Sequence, residues 1–321
     1  MKRTGLRLFT AVMLFGLAAD AAVRAESPAI VEHYPGAVFE STPAEAAGWS
    51  AEKLAEAKSW SQQIAPSAAV MIVQHGLVVA QWGDVAAKSN LHSVRKSLLS
   101  ALIGIAVDEH KINLGATMES LGIDDNTPGL TPIEKTATVG DLLKSRSGIY
   151  HAALYETPGM ARRRPARGSH PPGTFWYYNN WDFNALGTIY ERATGDWIFT
   201  ALQSRIARPI GMEDYQPGDG EYFNGKASEH PGYPIRMSAR DLARFALSIC
   251  MKDDGTAGRS FRAHGFAKAR NPIPMRFPTR SGGTATDICG GSDFPITTAH
   301  RWSRSHPAPS PPWVLKGSMP L

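Results

Sequence analysis

The feature that most restricts this chain is the apolar run Leu98-Leu99-Ser100-Ala101-Leu102-Ile103-Gly104-Ile105-Ala106-Val107. Its length exceeds that of a buried strand and reads as a helix enclosed on nearly every side. The run opens with Ser93-Val94-Arg95-Lys96. Three residues are close to one helical turn, so Ser93 and Lys96 share a face at the start of that helix. There the orphan backbone N–H groups and the positive end of the helix dipole favour an alkoxide or oxyanion. A neighbouring amine able to lose its proton completes a means of activating a hydroxyl. The spacing is not unique. Ser50-Ala51-Glu52-Lys53 repeats it, and there an N-cap serine opening a polar helix over 51–63 accounts for it.

A chain of 321 residues can form one large domain or two intimately packed subdomains. Lys2, Arg3 and Arg7 precede the apolar stretch 8–19, and Val23-Arg24-Ala25 places small residues at the −3 and −1 positions of a cleavage site. Residues 1–25 therefore read as a secretory signal peptide whose apolar part is too short to span a bilayer. The expectation is a periplasmic or secreted protein with no stable membrane anchor after cleavage. Cys250 and Cys289 are the only cysteines, and no Cys/His cluster has zinc spacing, so neither a metal nor another cofactor is expected. The net charge is +5, but residues 256–321 carry nine Lys/Arg and two Asp, a net of +7, leaving 5 − 7 = −2 for residues 1–255. The basic character belongs to the tail, which argues against a nucleic-acid partner. A small molecule or peptide is the expected partner, and the oligomeric state is not legible.

Residues 26–50 read as an irregular lead-in. The β-rich runs 68–73 and 77–82 meet through Gln74-His75-Gly76, a hairpin signal. Thr138 is placed to cap a short helix carrying Asp141 at its third position. A Pro/Gly/Arg-rich loop covers about 156–174. An apolar helix over 183–193 ends at Gly195 as a C-cap, and another opens with the capping-box pattern Ser238-Ala239-Arg240-Asp241 and runs to about Met251. Hairpin first, helices in the middle and strands later is the order of an α+β layered domain.

The second chemical element is Pro172-Gly173-Thr174-Phe175-Trp176-Tyr177-Tyr178-Asn179-Asn180. Read with Ser93-x-x-Lys96, Tyr178-x-Asn180 resembles the second signature of the serine β-lactamase and penicillin-binding-protein superfamily, and most closely its class C-type branch. Tyr222-Phe223-Asn224 has the same spacing without the Pro-Gly lead-in, and Tyr177-Tyr178-Asn179 is out of register. Further stretches are similar to family landmarks in the same order: 138–148, Asn184-Ala185-Leu186-Gly187, Ala193-Thr194-Gly195, Pro209-Ile210-Gly211-Met212 and 237–244. The resemblance covers about residues 30–255.

It implies a β-lactamase/transpeptidase-like α+β fold, an antiparallel sheet flanked by helices with a mainly helical subdomain. It also implies Ser93 as acylated nucleophile, Lys96 as its proton partner and Tyr178 as a sharer of proton transfer. Asn180 would hold a substrate amide or the Lys96 ammonium. The residue chemistry is compatible: a lysine buried beside a helix start has its ammonium disfavoured by desolvation and by the dipole. Arg162, Arg163, Arg164 and Arg167 form either a solvated loop or a contact for a substrate carboxylate.

The family's third signature, Lys-Thr-Gly or His-x-Gly on a late strand, is missing. Arg280-Ser281-Gly282 matches formally but lies in a stretch without strand pattern. From about residue 256 nine of the 23 prolines fall in the last 66 residues and helical periodicity disappears. Permitted codons for residues 283–291, read from their third base, spell His-Gly-Tyr-Gly-Tyr-Leu-Trp-Trp, and the same offset over 264–269 permits Trp-Val-Arg-Glu-Ser-Thr. Both resemble family landmarks in the expected order. The tail 256–321 thus reads as frame-shifted from near Gly255, the domain 26–255 as incomplete, and the C-terminal strands as lost.

The function expected is a serine hydrolase acting through an acyl-enzyme on an amide, β-lactam or ester. A D-Ala-D-Ala carboxypeptidase-like peptidoglycan enzyme and an inactive remnant with at most ligand binding are the alternatives.

Overall fold

The structure, a computed structural model, describes residues 33–64 and 67–250. Helix α1 (Ala51–Ile64) begins where Ser50 Oγ accepts from the Lys53 N–H at 3.2 Å, and Lys53 Nζ pairs with Glu56 at the surface. The Ser50-x-x-Lys53 repeat is therefore a helix cap.

Strands β1 (Ala69–Gln74) and β2 (Leu77–Gly83) form the expected antiparallel hairpin. His75 and Gly76 both take positive φ, 49° and 82°, the two-residue turn whose twist matches that of the strands. A Cβ on Gly76 would lie 1.5 Å from the carbonyl oxygen of His33, so only glycine fits. The lead-in is more attached than its sequence suggests. Val78 N–H donates to Glu40 O and Thr42 N–H to Val78 O, so this segment lies along the open side of β2. Among the described residues β2 is the single strand neighbour of β1. The C-terminal strands of the sequence reading fall on residues outside those described.

A helical layer surrounds the apolar run. Helix α2 (Arg95–Asp108) buries Leu98, Leu99, Leu102, Ile103, Ile105 and Ala106. It packs against α5 (Trp181–Thr194) and α6 (Ile198–Leu202), and α5 also meets α3 (Val139–Leu143). Each fully buried leucine or isoleucine contributes roughly 1.5–3 kcal/mol, which makes this seam the principal anchor of the site-bearing helix. Helix α5 ends at Gly195, whose φ of 76° is the expected left-handed cap. The Thr138–Asp141 capping box also forms.

Two expectations need correction. The 156–174 loop contains a short helix, α4 (Pro158–Arg163), which Thr157 caps and Pro158 opens. Helix α7 (Ala239–Cys250) is capped by Ser238, but Asp241 does not reach back to complete a box. Its carboxylate accepts the backbone N–H groups of Glu213, Asp214 and Tyr215 instead. Three backbone donors outweigh one, so the aspartate gathers a distant loop. Helix α7 packs on β1, and its buried Arg244 donates to the carbonyls of Gly36 and Ala37. Met251 lies outside the described residues. Within them, no helix is long and apolar enough to cross a membrane.

Candidate active site

Ser93 occupies an exposed single turn, His92–Val94, that feeds directly into α2. That turn is held from several sides. A two-stranded pairing of β3 (Ser89–Asn90) with β4 (Arg236–Met237) fixes the approach, and Leu91 N–H donates to Ile235 O at 2.9 Å. Asn90 Oδ1 accepts from the His92 N–H, and Arg95 Nη1 donates to the His92 carbonyl at 2.8 Å. His92 itself has φ 46°, a left-handed conformation of the kind that clusters at functional sites.

Lys96 follows one turn later, 2% exposed. Its Nζ donates to Asn180 Oδ1 at 2.7 Å and lies 4.7 Å from the centre of the Tyr178 ring and 5.3 Å from that of Phe183. Burial, and then the neighbouring Arg95 charge, lower its pKa to about 6, against an opposing pull from Asp182. A fall from 10.5 to about 6 corresponds to roughly 6 kcal/mol in favour of the neutral amine. Burial thus favours the free amine, the form a base requires.

Asn180 caps the start of α5, immediately before Trp181, and both ends of its side-chain amide are engaged. Oδ1 takes the Lys96 proton donor and Nδ2 donates to the Tyr155 carbonyl. Of the two roles the sequence leaves open for Asn180, the structure brings it to the lysine. Tyr178 is half-buried, its ring against Lys96 and Phe183. All four residues named from sequence thus lie on two adjoining segments, the start of α2 and the start of α5. The competing Tyr222 is engaged elsewhere, with its hydroxyl donating to Glu191.

Three further residues complete the arrangement, and the sequence did not single them out. Asp182, fully buried, accepts from Ser147 Oγ at 2.6 Å, while its Oδ2 has no partner among the described residues. Burial raises its pKa to about 8 against the Ser147 and Asn179 hydrogen bonds, which favours the protonated acid. Tyr155 links both halves of the site. Its hydroxyl accepts from Asn90 Nδ2, its carbonyl holds Asn180, and its ring lies 5.0 Å from the Arg95 guanidinium carbon. Asp125 steadies the start of α5 by accepting from Trp181 Nε1 at 2.6 Å, and it binds Ser228 Oγ and Glu229 N–H as well. Burial pushes the Asp125 carboxyl up, but its hydrogen bonds prevail and hold it well below the usual range. The signal for Asp182 is weak in sequence, since a polar residue early in a helix normally reads as a solvated first-turn acid.

Two of the four loop arginines are already engaged. Arg164 pairs with Glu156, and Arg167 with the buried Glu134 at 2.8 Å.

A family model for the beta-lactamase domain matches residues 51–295. The esterase EstB of Burkholderia gladioli is 28% identical over 151 residues, 47% of this chain and 36% of EstB. The chain thus spans little more than a third of the length of that curated relative. Among solved structures, SurE aligns with a TM-score of 0.49 at 21% identity, covering 72% of this chain and 59% of that one. FmtA from Staphylococcus aureus aligns with a TM-score of 0.47 at 17% identity, covering 67% of each chain.

Proposed function

This chain belongs to the beta-lactamase family, and on that premise we propose that it hydrolyses an ester or amide through an acyl-enzyme on Ser93. The helices around α2 and the antiparallel hairpin belong to the β-lactamase/transpeptidase-like fold of that family.

The observation that carries the proposal is the state of Lys96: a lysine 2% exposed, bonded to a neutral amide and lowered to about 6, one turn from a serine at a helix start. In the first half-reaction the Lys96 amine takes the Ser93 hydroxyl proton as Oγ bonds to the carbonyl carbon. The backbone N–H groups at the start of α2 stabilise the oxyanion. Collapse expels the alcohol or amine, which receives the proton from Lys96 with Tyr178 assisting. In the second half-reaction water loses a proton to the same pair and attacks the acyl carbon. The acid leaves and Ser93 recovers its hydrogen. EstB's name favours an ester as the first substrate to try.

The inactive-remnant reading is favoured by one specific observation, the absence of the third signature from residues 256–321. A fluorophosphonate probe and a labelled β-lactam separate the two. Covalent labelling of soluble protein that disappears in Ser93→Ala supports the hydrolase, and no labelling of folded protein supports the remnant.

A further inference from the structure

Tyr155 takes φ 59°, a left-handed backbone that a bulky residue keeps only where its surroundings hold it. Its ring centre lies 5.0 Å from the Arg95 guanidinium carbon, which Tyr233 faces at 4.8 Å, and 6.0 Å from the Phe223 ring. Phe223 and Gly232 exchange two backbone hydrogen bonds, at 2.7 and 3.0 Å. A Cβ on Gly232 would lie 2.7 Å from the Tyr155 Cβ, so glycine permits this close approach. The Tyr155 hydroxyl is thereby held in one place, and it accepts from Asn90 Nδ2 at 2.7 Å. Asn90 ends β3, and its Oδ1 accepts the His92 N–H at 2.9 Å, one residue before Ser93. On the other side the Tyr155 carbonyl accepts from Asn180 Nδ2, and Asn180 Oδ1 accepts from Lys96 Nζ at 2.7 Å. One tyrosine thus stands between the serine's turn and the lysine's partner, bonded toward each.

We propose that Tyr155 and Asn90 are positioning residues that form a strut, the Tyr155 hydroxyl acting only through the Asn90 amide to hold the Ser93 turn against the Lys96–Asn180 pair. The turn needs a brace. Neither the His92–Val94 turn nor α2 has a side-chain hydrogen bond from its own N-cap residue, and His92 sits in left-handed backbone. Asn90 Oδ1 is the side-chain acceptor at its start. An exposed asparagine by itself samples several rotamers, and a bond to a fixed hydroxyl removes that freedom. The attacking oxygen follows one residue later, where a displacement of about 1 Å can cost about 10² in rate.

A double-mutant cycle in the full chain tests this. Tyr155→Phe removes the hydroxyl and leaves the ring on Arg95 and the carbonyl on Asn180; Asn90→Ala removes both of the asparagine's links. Stopped-flow acylation by p-nitrophenyl butyrate gives the limiting rate and the half-saturating concentration for the parent, both variants and their combination, beside thermal melts. Each single variant lowers the limiting rate about tenfold, with half-saturation and melting temperature nearly kept. The double variant is no slower than Asn90→Ala, because the hydroxyl has no other route to Ser93. Losses that multiply in the double variant, or a raised half-saturation with the rate kept in Tyr155→Phe, overturn the proposal by giving the hydroxyl a separate role. An unchanged rate in either single variant, or a rate loss that tracks a fall in melting temperature, overturns it too. The inference rests on the hydrolase reading for its consequence. If the parent chain is never acylated that reading fails, while solvent exchange of the His92 amide, read by 15N NMR, still decides the strut. Tyr155→Phe speeds that exchange about tenfold, and an unchanged rate of exchange overturns the strut.

Discussion

Lys96 Nζ donates a 2.7 Å hydrogen bond to Asn180 Oδ1 across 84 residues of sequence, and this bond joins the two halves of the candidate site. Because the acceptor is a neutral amide, burial decides the state of the lysine. Asn180→Asp puts a carboxylate in the same place. The Lys96 pKa then rises by about 1–3 units and the acid limb of acylation moves up with it. A pH–rate profile of the variant checks this, and an unmoved limb would show that Lys96 is not the titrating base.

Lys96→Arg keeps a cation that cannot lose its proton in the accessible range. The acylation rate falls by about 10²–10⁴, the usual contribution of a positioned base. The inflection near pH 6 disappears at the same time. Stopped-flow acylation with an aryl ester reads both effects.

Asp182 provides a stability signature with a definite sign. Its folded pKa is raised from 3.8 to about 8, so between those values the folded state holds more protons than the unfolded one. Its contribution to stability is full below about pH 4 and declines as pH rises toward 8. Lys96, lowered from 10.5 to about 6, has the opposite slope from about pH 6 upward. The Asp182 decline is therefore cleanest between pH 4 and 6. Urea melts across that window show Asp182→Asn gaining on the parent as pH rises; parallel curves would contradict the assignment.

Arg167 braces a loop through Glu134, which is buried. Arg167→Glu takes the arginine from Glu134, leaving it the Thr131 N–H and the nearby His151, and faces it with a like charge, lowering stability by about 1–3 kcal/mol. KM for anionic and neutral esters changes by the same factor. Arg162→Glu and Arg163→Glu lie on the exposed end of α4 and leave the melting temperature nearly unchanged. A larger rise in KM for the anionic ester in either of these would assign that arginine to a substrate carboxylate.

The reading frame is the remaining prediction. Nucleotides downstream of codon 255, read at the offset described, encode Trp-Val-Arg-Glu-Ser-Thr and then His-Gly-Tyr-Gly-Tyr-Leu-Trp-Trp. Restoring that frame returns a late strand and its oxyanion donor, raising kcat by about 10²–10³. Resequencing decides the first part, and codons that cannot yield those peptides end the proposal.

The local rules were legible because they act over a few residues. His75-Gly76, Thr138 with Asp141, Ser50 and Gly195 each satisfy nearby backbone groups, and each forms as its sequence suggests. Where a side chain's partner lies far along the chain, the sequence was silent. Asp241 leaves its own helix to hold residues 213–215.

The same division runs through the site. Sequence alone named the candidates for the chemistry, since Ser93-x-x-Lys96 beside an apolar helix and Tyr178-x-Asn180 are local patterns. Only the tertiary structure decided their states. The favoured free amine of Lys96, the raised carboxyl of Asp182 and the aromatic clamp on Arg95 all depend on water being excluded by α2 packing against α5. Desolvation is set by everything that surrounds a group, so it cannot be read from the residues beside it in the chain.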